Sequence, residues 1–314
     1  MDLEFCLAND FDVWDKLIEN SSQGNIFQNS LFIKSLNIPF KCYLIKSKNQ
    51  ILGGVIVLEK DNIMYEYPPY CPYQGIIFSN LVNNKKNHSR IPLEMKICEF
   101  IISELLNRYS NFYMSFAPNF LDIRPFLWHN YGKNNLPKFK VNNLFTAILD
   151  LREKNYDDII SSIRSNKRYE IKKSKVSIKS SSDIDTFIDI YRRMFQRQNI
   201  EISNKYIEIV KSITTAALLN NYGWLKAAFT EEGSISAMSL FLNDKKNAYY
   251  LFGANEPNLR KEWGSTALMA ENIKKAISLD LDNIDFVGAN SPNRSDYKIS
   301  FNCMLKSYFS VLLD

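Results

Sequence analysis

The sequence contains few of the residues that build metal sites and disulfide frameworks. Its 314 residues include two histidines, His88 and His129, and five cysteines, none of them in a CxxC pair. So few histidines and no paired cysteines give little support to a zinc site or to a Ser-His-Asp triad. An odd number of scattered cysteines is typical of reduced thiols in a cytosolic protein. We therefore expect neither a bound metal nor a disulfide framework.

Long apolar runs are also missing. The longest candidate, ICEFIISELL at residues 97–106, is about half as long as a membrane span and carries Glu99 and Glu104. The N-terminal stretch MDLEFCLANDFDVWDKL is acidic and lacks the apolar core of a signal peptide. These absences predict a soluble, cytoplasmic protein with no membrane span.

The chain does contain enough apolar material for folded cores. Hydrophobic residues make up 46% of it, aromatic residues 13% and charged residues 23%, a balance that argues against global disorder. At this length we expect one large or two modest domains. The formal net charge of +5 suits an anionic ligand such as a nucleotide or a coenzyme phosphate, but it is too small to indicate nucleic acid by itself.

The predicted elements follow a similar order in the two halves of the chain, which we divide into residues 1–150 and 151–314. Each half contains strands, a long helix, a strand and further strands. The main predictions are strands at 41–47, 51–60, 223–255 (three antiparallel strands) and 283–288, and helices over 91–109, 156–175 and 265–279. This pattern predicts two similar α/β domains.

One candidate binding segment is YLFGANEPNLRKEWGSTALMAENI at residues 250–273. A predicted strand is followed by a loop, and a helix begins at Gly264, Ser265 and Thr266. Free N–H groups at a helix start bind phosphate well, and Lys261 adds a positive charge nearby. An ordinary capped helix start explains the same residues.

A second candidate is the segment IDFVGANSPNRSDYKISFN at residues 284–302. An apolar strand ends at Gly288, and Lys298 follows on a short segment after a polar loop. Binding sites form beyond the carboxyl ends of strands, where an ammonium can hold a phosphate or an oxyanion. The alternative is a lysine in solvent on a terminal helix.

Three further segments carry weaker signals. The stretch 163–179 has seven Lys or Arg residues and one Glu, which suits RNA or a nucleotide phosphate or simply a solvated helix face. The segment EYPPYCPYQGIIF offers Glu66, Tyr70 and Tyr73 for a substrate groove, or forms a rigid packing loop. Arg197 is a candidate contact for an anionic substrate, or a surface arginine.

Taken in order, these segments resemble the Fem-type branch of the GNAT acyltransferase superfamily. The similarity covers most of the chain and is clearest after residue 150. The closing pattern of the family, aromatic-Lys-x-x-Phe-Gly, stands here as Tyr297-Lys298-Ile299-Ser300-Phe301-Asn302. Lys261-x-x-Gly264-x-Thr266 resembles the GNAT loop that holds the coenzyme A pyrophosphate. In the first half, IFQNSLF and YPPYCPYQGIIF resemble family segments.

The resemblance implies an α/β (α+β) fold of tandem GNAT-like domains, each with a mixed, mostly antiparallel sheet flanked by helices. It implies an acceptor-side domain at 1–150 and a donor-side domain at 151–314. By the same resemblance Lys298 lies near the reacting carbonyl and Tyr250 in the preceding strand. We expect Lys298 to stabilise an oxyanion and Tyr250 or Tyr297 to donate a proton to the leaving group. Asp296, Glu66 or water remain open as the base.

Three functions fit the sequence. The first is an N-acyltransferase that uses acyl-CoA and an amine of a cell-surface glycan precursor, such as a nucleotide-linked amino sugar. The second is an aminoacyl-tRNA-dependent transferase that acts on a peptidoglycan-type precursor. The basic stretch favours it, whereas the missing helical insertion and the missing acidic residue near SFAP (115–118) count against it. The third is a non-catalytic binding protein, which Asn302 in place of glycine would suit. The acyl group, the acceptor and the oligomeric state stay open.

Overall fold

The computed structural model describes residues 2–313, apart from the side chain of Asn293. The chain forms two compact units. Unit 1 contains residues 2–145 and 307–313, and unit 2 is Thr146–Lys306. The division lies close to the predicted boundary at residue 150, but residues 307–313, which the prediction placed in the second domain, pack with unit 1.

Unit 1 is built from a mostly antiparallel set of strands and from helices on its faces. Its elements are β1 (Glu4–Leu7), α1 (Phe11–Asn20), α2 (Ser30–Ser35), β2 (Phe40–Ser47), β3 (Gln50–Lys60), β4 (Ile63–Met64), β5 (Ile76–Phe78), α3 (Asn80–Asn83), α4 (Asn87–Leu106), β6 (Phe112–Ser115) and α5 (Arg124–Leu127). Strand β7 (Lys140–Asp150) passes from unit 1 into unit 2, and β13 (Met304–Leu313) returns to unit 1.

The strands of unit 1 pair in the order β1-β2-β3-β4, with β5 also paired to β3, and each of these pairs is antiparallel. Strand β6 pairs antiparallel with the end of β13. The predicted strands at 41–47 and 51–60 are thus confirmed as β2 and β3. Both strands are rich in apolar, often β-branched residues, and β3 is buried on both faces from Leu52 to Glu59.

Helix α1 shows how local sequence and packing agree in unit 1. Asp10 caps its start by accepting hydrogen bonds from the N–H groups of Asp12 and Val13. The buried face carries Trp14, which is fully buried and donates its indole N–H to the carbonyl of Gln28 at 2.9 Å. Around α4 and β6 the core is strongly aromatic, with Phe112, Phe116, Phe120, Phe126 and Phe139 in one buried cluster.

Unit 2 contains α6 (Tyr156–Ser162), α7 (Ser165–Lys173), β8 (Ser177–Ser180), α8 (Ile184–Gln196), α9 (Asn204–Leu219), β9 (Gly223–Phe229), β10 (Ile235–Asn243), β11 (Asn247–Asn255), α10 (Gly264–Ser278), β12 (Asn283–Asp285) and α11 (Pro292–Ile299). A short 3-10 helix, Pro257–Glu262, precedes α10. Among residues 2–313, none of the helices combines the length and apolar character that crossing a membrane requires.

The strands of unit 2 follow the order β7-β12-β11-β10-β9-β8. Only the pair of β11 and β12 is parallel among the described pairs, and the others are antiparallel. The prediction of a mixed, mostly antiparallel sheet flanked by helices is therefore confirmed. The core lies between the sheet and α10, where Phe241, Ile273, Phe286 and Phe301 are each fully buried.

Two predicted elements differ from the structure. The single helix predicted over 156–175 is two helices, because Ile163 adopts an extended conformation and buries its side chain, while the N–H of Arg164 donates to the carbonyl of Ser300. The strand predicted at 283–288 ends at Asp285, because Val287 and Gly288 have positive φ angles that no β-strand contains. Both differences arise from contacts with distant residues.

A buried hydroxyl pair tests the packing of unit 1. The Tyr43 and Tyr109 hydroxyls lie 3.0 Å apart, and both residues are buried. Tyr109→Phe leaves the Tyr43 hydroxyl without this partner, so we expect the free energy of unfolding to fall by about 1–3 kcal/mol. The double variant with Tyr43→Phe removes both polar groups, and its loss should be smaller than the sum of the two single losses. Urea unfolding followed by circular dichroism measures all four proteins, and strictly additive losses would contradict the bond.

Candidate active site

Strand β12 separates from β11 at the centre of unit 2. The two strands pair in parallel over Asn247–Tyr249 and Asn283–Asp285, and β11 then continues alone on that side to Asn255. Among the described residues, no strand pairs with this edge of β11 after Tyr249. The register of β11 with β10 also shifts here: Tyr250 pairs with Phe241 and Phe252 with Leu240, which leaves Leu251 as a bulge residue. A bulge beside an unpaired edge re-aims side chains and exposes backbone groups to a ligand.

Asp285 holds the chain where β12 ends. Its carboxylate accepts hydrogen bonds from the Thr146 hydroxyl at 2.5 Å and from the N–H of Val287 at 2.7 Å. The Thr146 hydroxyl oxygen accepts a third bond from the N–H of Gly288 at 3.1 Å. Val287 has φ +52°, a conformation that β-branched residues rarely adopt. This network stabilises a turn that would otherwise be strained.

Lys298 reaches this turn from α11. Its ammonium donates to the carbonyl oxygens of Val287, at 2.9 Å, and of Gly288. In the part of the chain that the structure describes, these are its hydrogen-bond acceptors, which leaves one of its three N–H groups for a ligand. Burial lowers the pKa of Lys298 to about 8, although the Asp285 carboxylate opposes this shift. The solvated lysine of the alternative reading is therefore excluded by its half-buried, hydrogen-bonded position.

Tyr250 lies on β11 where the two strands separate. Its ring stacks on Phe241 at 5.2 Å and packs edge-on against Phe286 at 6.0 Å. Its hydroxyl lies over the backbone of Gly253, where an added Cβ would come within 2.0 Å of it. Burial raises the pKa of Tyr250 to about 12, so the hydroxyl stays protonated at neutral pH. Tyr250, Gly253 and Ser265 line one small pocket.

Tyr297 connects α11 to the start of α10. Its hydroxyl donates to the carbonyl of Ser265 at 3.4 Å, and its ring lies edge-on to Phe301. The Lys167 ammonium lies over the ring, 5.4 Å from its centre. Burial raises the pKa of Tyr297 well above its usual value. The structure thus brings Lys298, Tyr250, Tyr297 and Ser265 into one region of unit 2.

The helix start predicted to bind phosphate requires its glycine. Gly264 packs against β10 so closely that a Cβ would lie 2.2 Å from the Ser236 hydroxyl oxygen. The preceding Trp263 has a left-handed conformation, and the Ser265 hydroxyl bonds to the side-chain oxygen of Asn255. Lys261 is exposed in the short helix just before this start. The N–H groups at the beginning of α10 therefore lie beside the free end of β11.

Sequence reasoning missed an acidic residue at this helix start. Glu170 of α7 accepts a hydrogen bond from the Thr266 hydroxyl and forms an ion pair with Lys167 at 2.7 Å. Both charged side chains are largely buried, at 17% and 15% exposure. The Glu170 carboxylate is thus neutralised where α10 begins. Glu170 is the one acidic residue in the basic stretch 163–179, and no sequence pattern there predicts its contact with Thr266.

Asp285 and Thr146 were missed as well. A signal existed for Asp285, because an acid between Ile284 and Phe286 stands inside an apolar strand and needs buried hydrogen-bond donors. No comparable signal marks Thr146, whose role depends on the pairing of β7 with β12.

Asp296 is poorly placed as the base. Its carboxylate accepts two hydrogen bonds from the Arg164 guanidinium, at 2.8 and 3.0 Å, and is well exposed. These bonds lower the pKa of Asp296. The pair instead joins α11 to the junction between α6 and α7.

The remaining predicted contacts are more scattered. Arg197 is exposed at the end of α8, and within residues 2–313 it shares no hydrogen bond with the Lys298 region. Glu66, Tyr70 and Tyr73 belong to unit 1. Glu66 is exposed and accepts a hydrogen bond from the Asn111 amide at 3.3 Å. Tyr70 is partly exposed and has a left-handed backbone conformation. Tyr73 is 1% exposed and packs against Phe27 and Tyr308, so it serves the core and does not reach a substrate.

The described part of the chain contains no group of three or more His, Cys, Asp or Glu side chains that could hold a metal ion. The five cysteines are free thiols. The residues of unit 2 offer a half-buried ammonium, two protonated tyrosines and backbone N–H groups. Such donors stabilise negative charge that develops on an oxygen or a leaving group.

Comparisons with known proteins agree with this geometry. Residues 161–298 match the family model of an acetyltransferase (GNAT) domain. No curated protein sequence matches the chain. Among solved structures, FemX superposes with a TM-score of 0.69 at 12% identity, covering 98% of this chain and 97% of FemX. A tandem GNAT protein from the clavulanic acid biosynthesis pathway gives 0.54 at 10% identity, covering 100% and 98%.

A third similar structure is the C-terminal domain of a putative lysylphosphatidylglycerol synthetase from Agrobacterium fabrum. It gives a TM-score of 0.55 at 8% identity and covers 96% of this chain and 91% of that domain. The predicted GNAT relationship is confirmed over residues 161–298, and the fold is that of tandem GNAT proteins and of FemX, as the Fem-type resemblance implies. The match to an acetyltransferase domain supports a transferase.

The contact between Asp285 and the Lys298 region is testable by titration. Because the Asp285 carboxylate raises the pKa of Lys298, Asp285→Asn should lower that pKa below the wild-type value of about 8. Nuclear magnetic resonance of lysine labelled at Cε follows the titration, and Lys298→Met assigns the signal.

Asp280→Asn is the matched control, because Asp280 is exposed in the turn after α10 and its left-handed backbone tolerates asparagine. We expect this variant to titrate like the wild type. An unchanged Lys298 titration in Asp285→Asn would show that the carboxylate does not act on the ammonium.

Proposed function

We propose that the chain is an N-acyltransferase that moves an acyl group from acyl-CoA to an amine, with unit 2 as the donor domain. The observation that carries this proposal is the unpaired edge of β11 between Tyr250 and Asn255. One end of this edge lies beside Phe286 and the turn that Lys298 contacts, and the other end bonds to Ser265 at the start of α10. An extended ligand with amide groups, such as the pantetheine arm, pairs well with a strand edge of this kind.

The start of α10 suits the pyrophosphate of the coenzyme. The N–H groups of Gly264 and Ser265 stand at the positive end of a 15-residue helix, and the exposed Lys261 adds a cation. The ion pair with Lys167 keeps the Glu170 carboxylate from opposing an anion there. These contacts support the cofactor-binding role predicted for Lys261, Gly264 and Ser265. Thr266 is buried, its N–H donates to the carbonyl of Trp263 and its hydroxyl donates to Glu170, so the contacts do not extend to it.

The same residues suggest how transfer proceeds. A neutral amine attacks the thioester carbon, a C–N bond forms, and the carbonyl oxygen becomes an oxyanion that the remaining N–H of Lys298 stabilises. The C–S bond then breaks, the hydroxyl of Tyr250 or Tyr297 protonates the thiolate, and that tyrosine regains a proton from solvent. Water takes the proton that the amine loses, because Asp296 is held by Arg164.

For the acceptor we propose an amine on a glycan precursor of the cell envelope, such as a nucleotide-linked amino sugar. The Fem-type resemblance supports this class, and the net charge of +5 suits an anionic nucleotide. Unit 1 remains the proposed acceptor domain, with Glu66 and Tyr70 as its candidate contacts.

An aminoacyl-tRNA donor is the second candidate. The observation that favours it is the exposed basic end of α7, where Lys172 and Lys173 are followed by Lys175. Cations on an exposed helix contact nucleic-acid phosphates without reading sequence.

One assay separates these donors. Purified protein is incubated with acetyl-CoA and a nucleotide-linked amino sugar, and free thiol release is followed against a blank without amine. A parallel reaction supplies charged tRNA and measures aminoacyl transfer with and without ribonuclease. Amine-dependent thiol release supports the acyl-CoA proposal. Product formed only with charged tRNA would establish the second candidate, and no product with either donor would favour a binding protein.

Lys298 gives the sharpest test of the mechanism. Lys298→Met removes the oxyanion donor, so we expect kcat/KM to fall by roughly 10²–10³-fold. The protonated form is the active one and its pKa is about 8, so wild-type kcat/KM should decline as the pH rises through 8. A pH–rate profile of the Lys298→Met variant should lack this decline.

Lys274→Met is the control, because Lys274 is exposed on α10 and carries the same charge. Its activity and its pH profile should match those of the wild type. Equal activity of the two lysine variants would remove Lys298 from the mechanism.

A further inference from the structure

Unit 1 contains a cavity that the proposed transfer reaction does not use. It lies between the first half of α4, the segment 119–125 that follows β6, and the end of β5 at Phe78. Its volume of about 370 Å³ is within the range of small-molecule binding sites. All its lining residues lie between Gln23 and Pro125, so the cavity belongs to unit 1 alone.

Apolar side chains form much of its wall. Phe78 and Phe120 are buried and stack on one another with ring centres 6.0 Å apart, and Cys98 is buried beside them. At the cavity Leu121 is 78% exposed, an unusual position for a leucine. This wall offers contact to a hydrocarbon or an aromatic body.

Two carboxylates also line the cavity, and they are in different states. Asp122 accepts two hydrogen bonds from the Arg124 guanidinium, at 2.7 and 2.6 Å, so its charge is compensated. Glu94 is 8% exposed, and its closest cation, Nε of Arg90, is 3.8 Å away, beyond hydrogen-bond range. Within residues 2–313, no N–H or O–H group donates a hydrogen bond to the Glu94 carboxylate. Burial raises the pKa of this carboxyl.

A buried carboxylate without donors is costly, and a ligand cation removes that cost. The guanidinium of Arg90 is a weak substitute, because its Nε lies 3.8 Å from the carboxylate and has no hydrogen-bond partner in the described chain. From the cavity, its apolar wall and the Glu94 carboxylate, which no hydrogen-bond donor of the described chain contacts, we infer that unit 1 binds a small ligand in which a protonated amine is attached to an apolar body. Glu94 accepts the ammonium, and the Phe78–Phe120 wall holds the body. This site is independent of the proposed acyl donor site.

The test is isothermal titration of the full chain with hexylamine, with 1-hexanol and hexanoate as probes of equal length and different charge. We expect hexylamine to bind at least tenfold more tightly than either of the other two. Equal binding of hexanol would show that only the apolar wall acts. Tighter binding of hexanoate would assign the cavity to an anion held by Arg90. Either result, or no binding of hexylamine, would overturn the inference.

Glu94→Gln keeps the shape of the side chain and removes its charge, so it should weaken hexylamine binding at least tenfold. Glu99→Gln is the control, because Glu99 lies in the same helix but is exposed, and this variant should bind hexylamine like the wild type. Wild-type-like binding by Glu94→Gln would contradict the assignment.

A substitution at the buried Glu94 can also disturb folding, so a second measurement uses the wild-type protein. In a sample labelled at methionine methyl groups, hexylamine should shift the signal of Met95, which lines the cavity, and leave that of Met238 in unit 2 unchanged. A shift at Met238 without one at Met95 would place the amine elsewhere and refute the site.

Discussion

The hydrogen bonds that Asp285 accepts at the end of β12 are the interaction on which the candidate site depends. They fix Val287 in a left-handed conformation and so end the pairing of β12 with β11. Two consequences follow from this one turn. The carbonyls of Val287 and Gly288 face the ammonium of Lys298, and β11 continues beyond Tyr249 with one edge unpaired. A straight continuation of β12 would have covered that edge.

The helices around this turn are tied to it by polar contacts as well as by the apolar core. Tyr297 bonds to the backbone of Ser265, Glu170 bonds to Thr266, and Arg164 pairs with Asp296. These contacts join α7, α10 and α11, so the ammonium, the tyrosines and the start of α10 form one arrangement. Arrangements held by buried polar groups are well suited to electrostatic stabilisation, since the donors need not reorganise during the reaction.

Much of this could be predicted from sequence, for reasons that differ by residue. The strands β2 and β3 follow from two short apolar runs that a polar turn separates. Gly264 was identifiable because it begins a predicted helix in a segment similar to a known family, and Lys298 because it follows a strand in another such segment. The close approach of Gly264 to Ser236 is known only from the tertiary structure. Tyr73 was misjudged, since an aromatic residue in a proline-rich stretch fits a groove and a core equally well. The break between α6 and α7 was missed because it depends on a bond from Arg164 to Ser300, far away in the chain.

The sequence by itself determined the fold class, the two-part organisation and the residue types available for chemistry, because periodicity, turn residues and family motifs are local properties. Only the tertiary structure decided which of those residues meet. It placed Lys298 against two carbonyls, bound Asp296 to Arg164, and put Glu94 on the wall of a cavity without a hydrogen-bonded partner in the described chain. The physical reason is that the charge, burial and hydrogen bonding of a side chain are set by neighbours that are distant in sequence, and no local pattern specifies them.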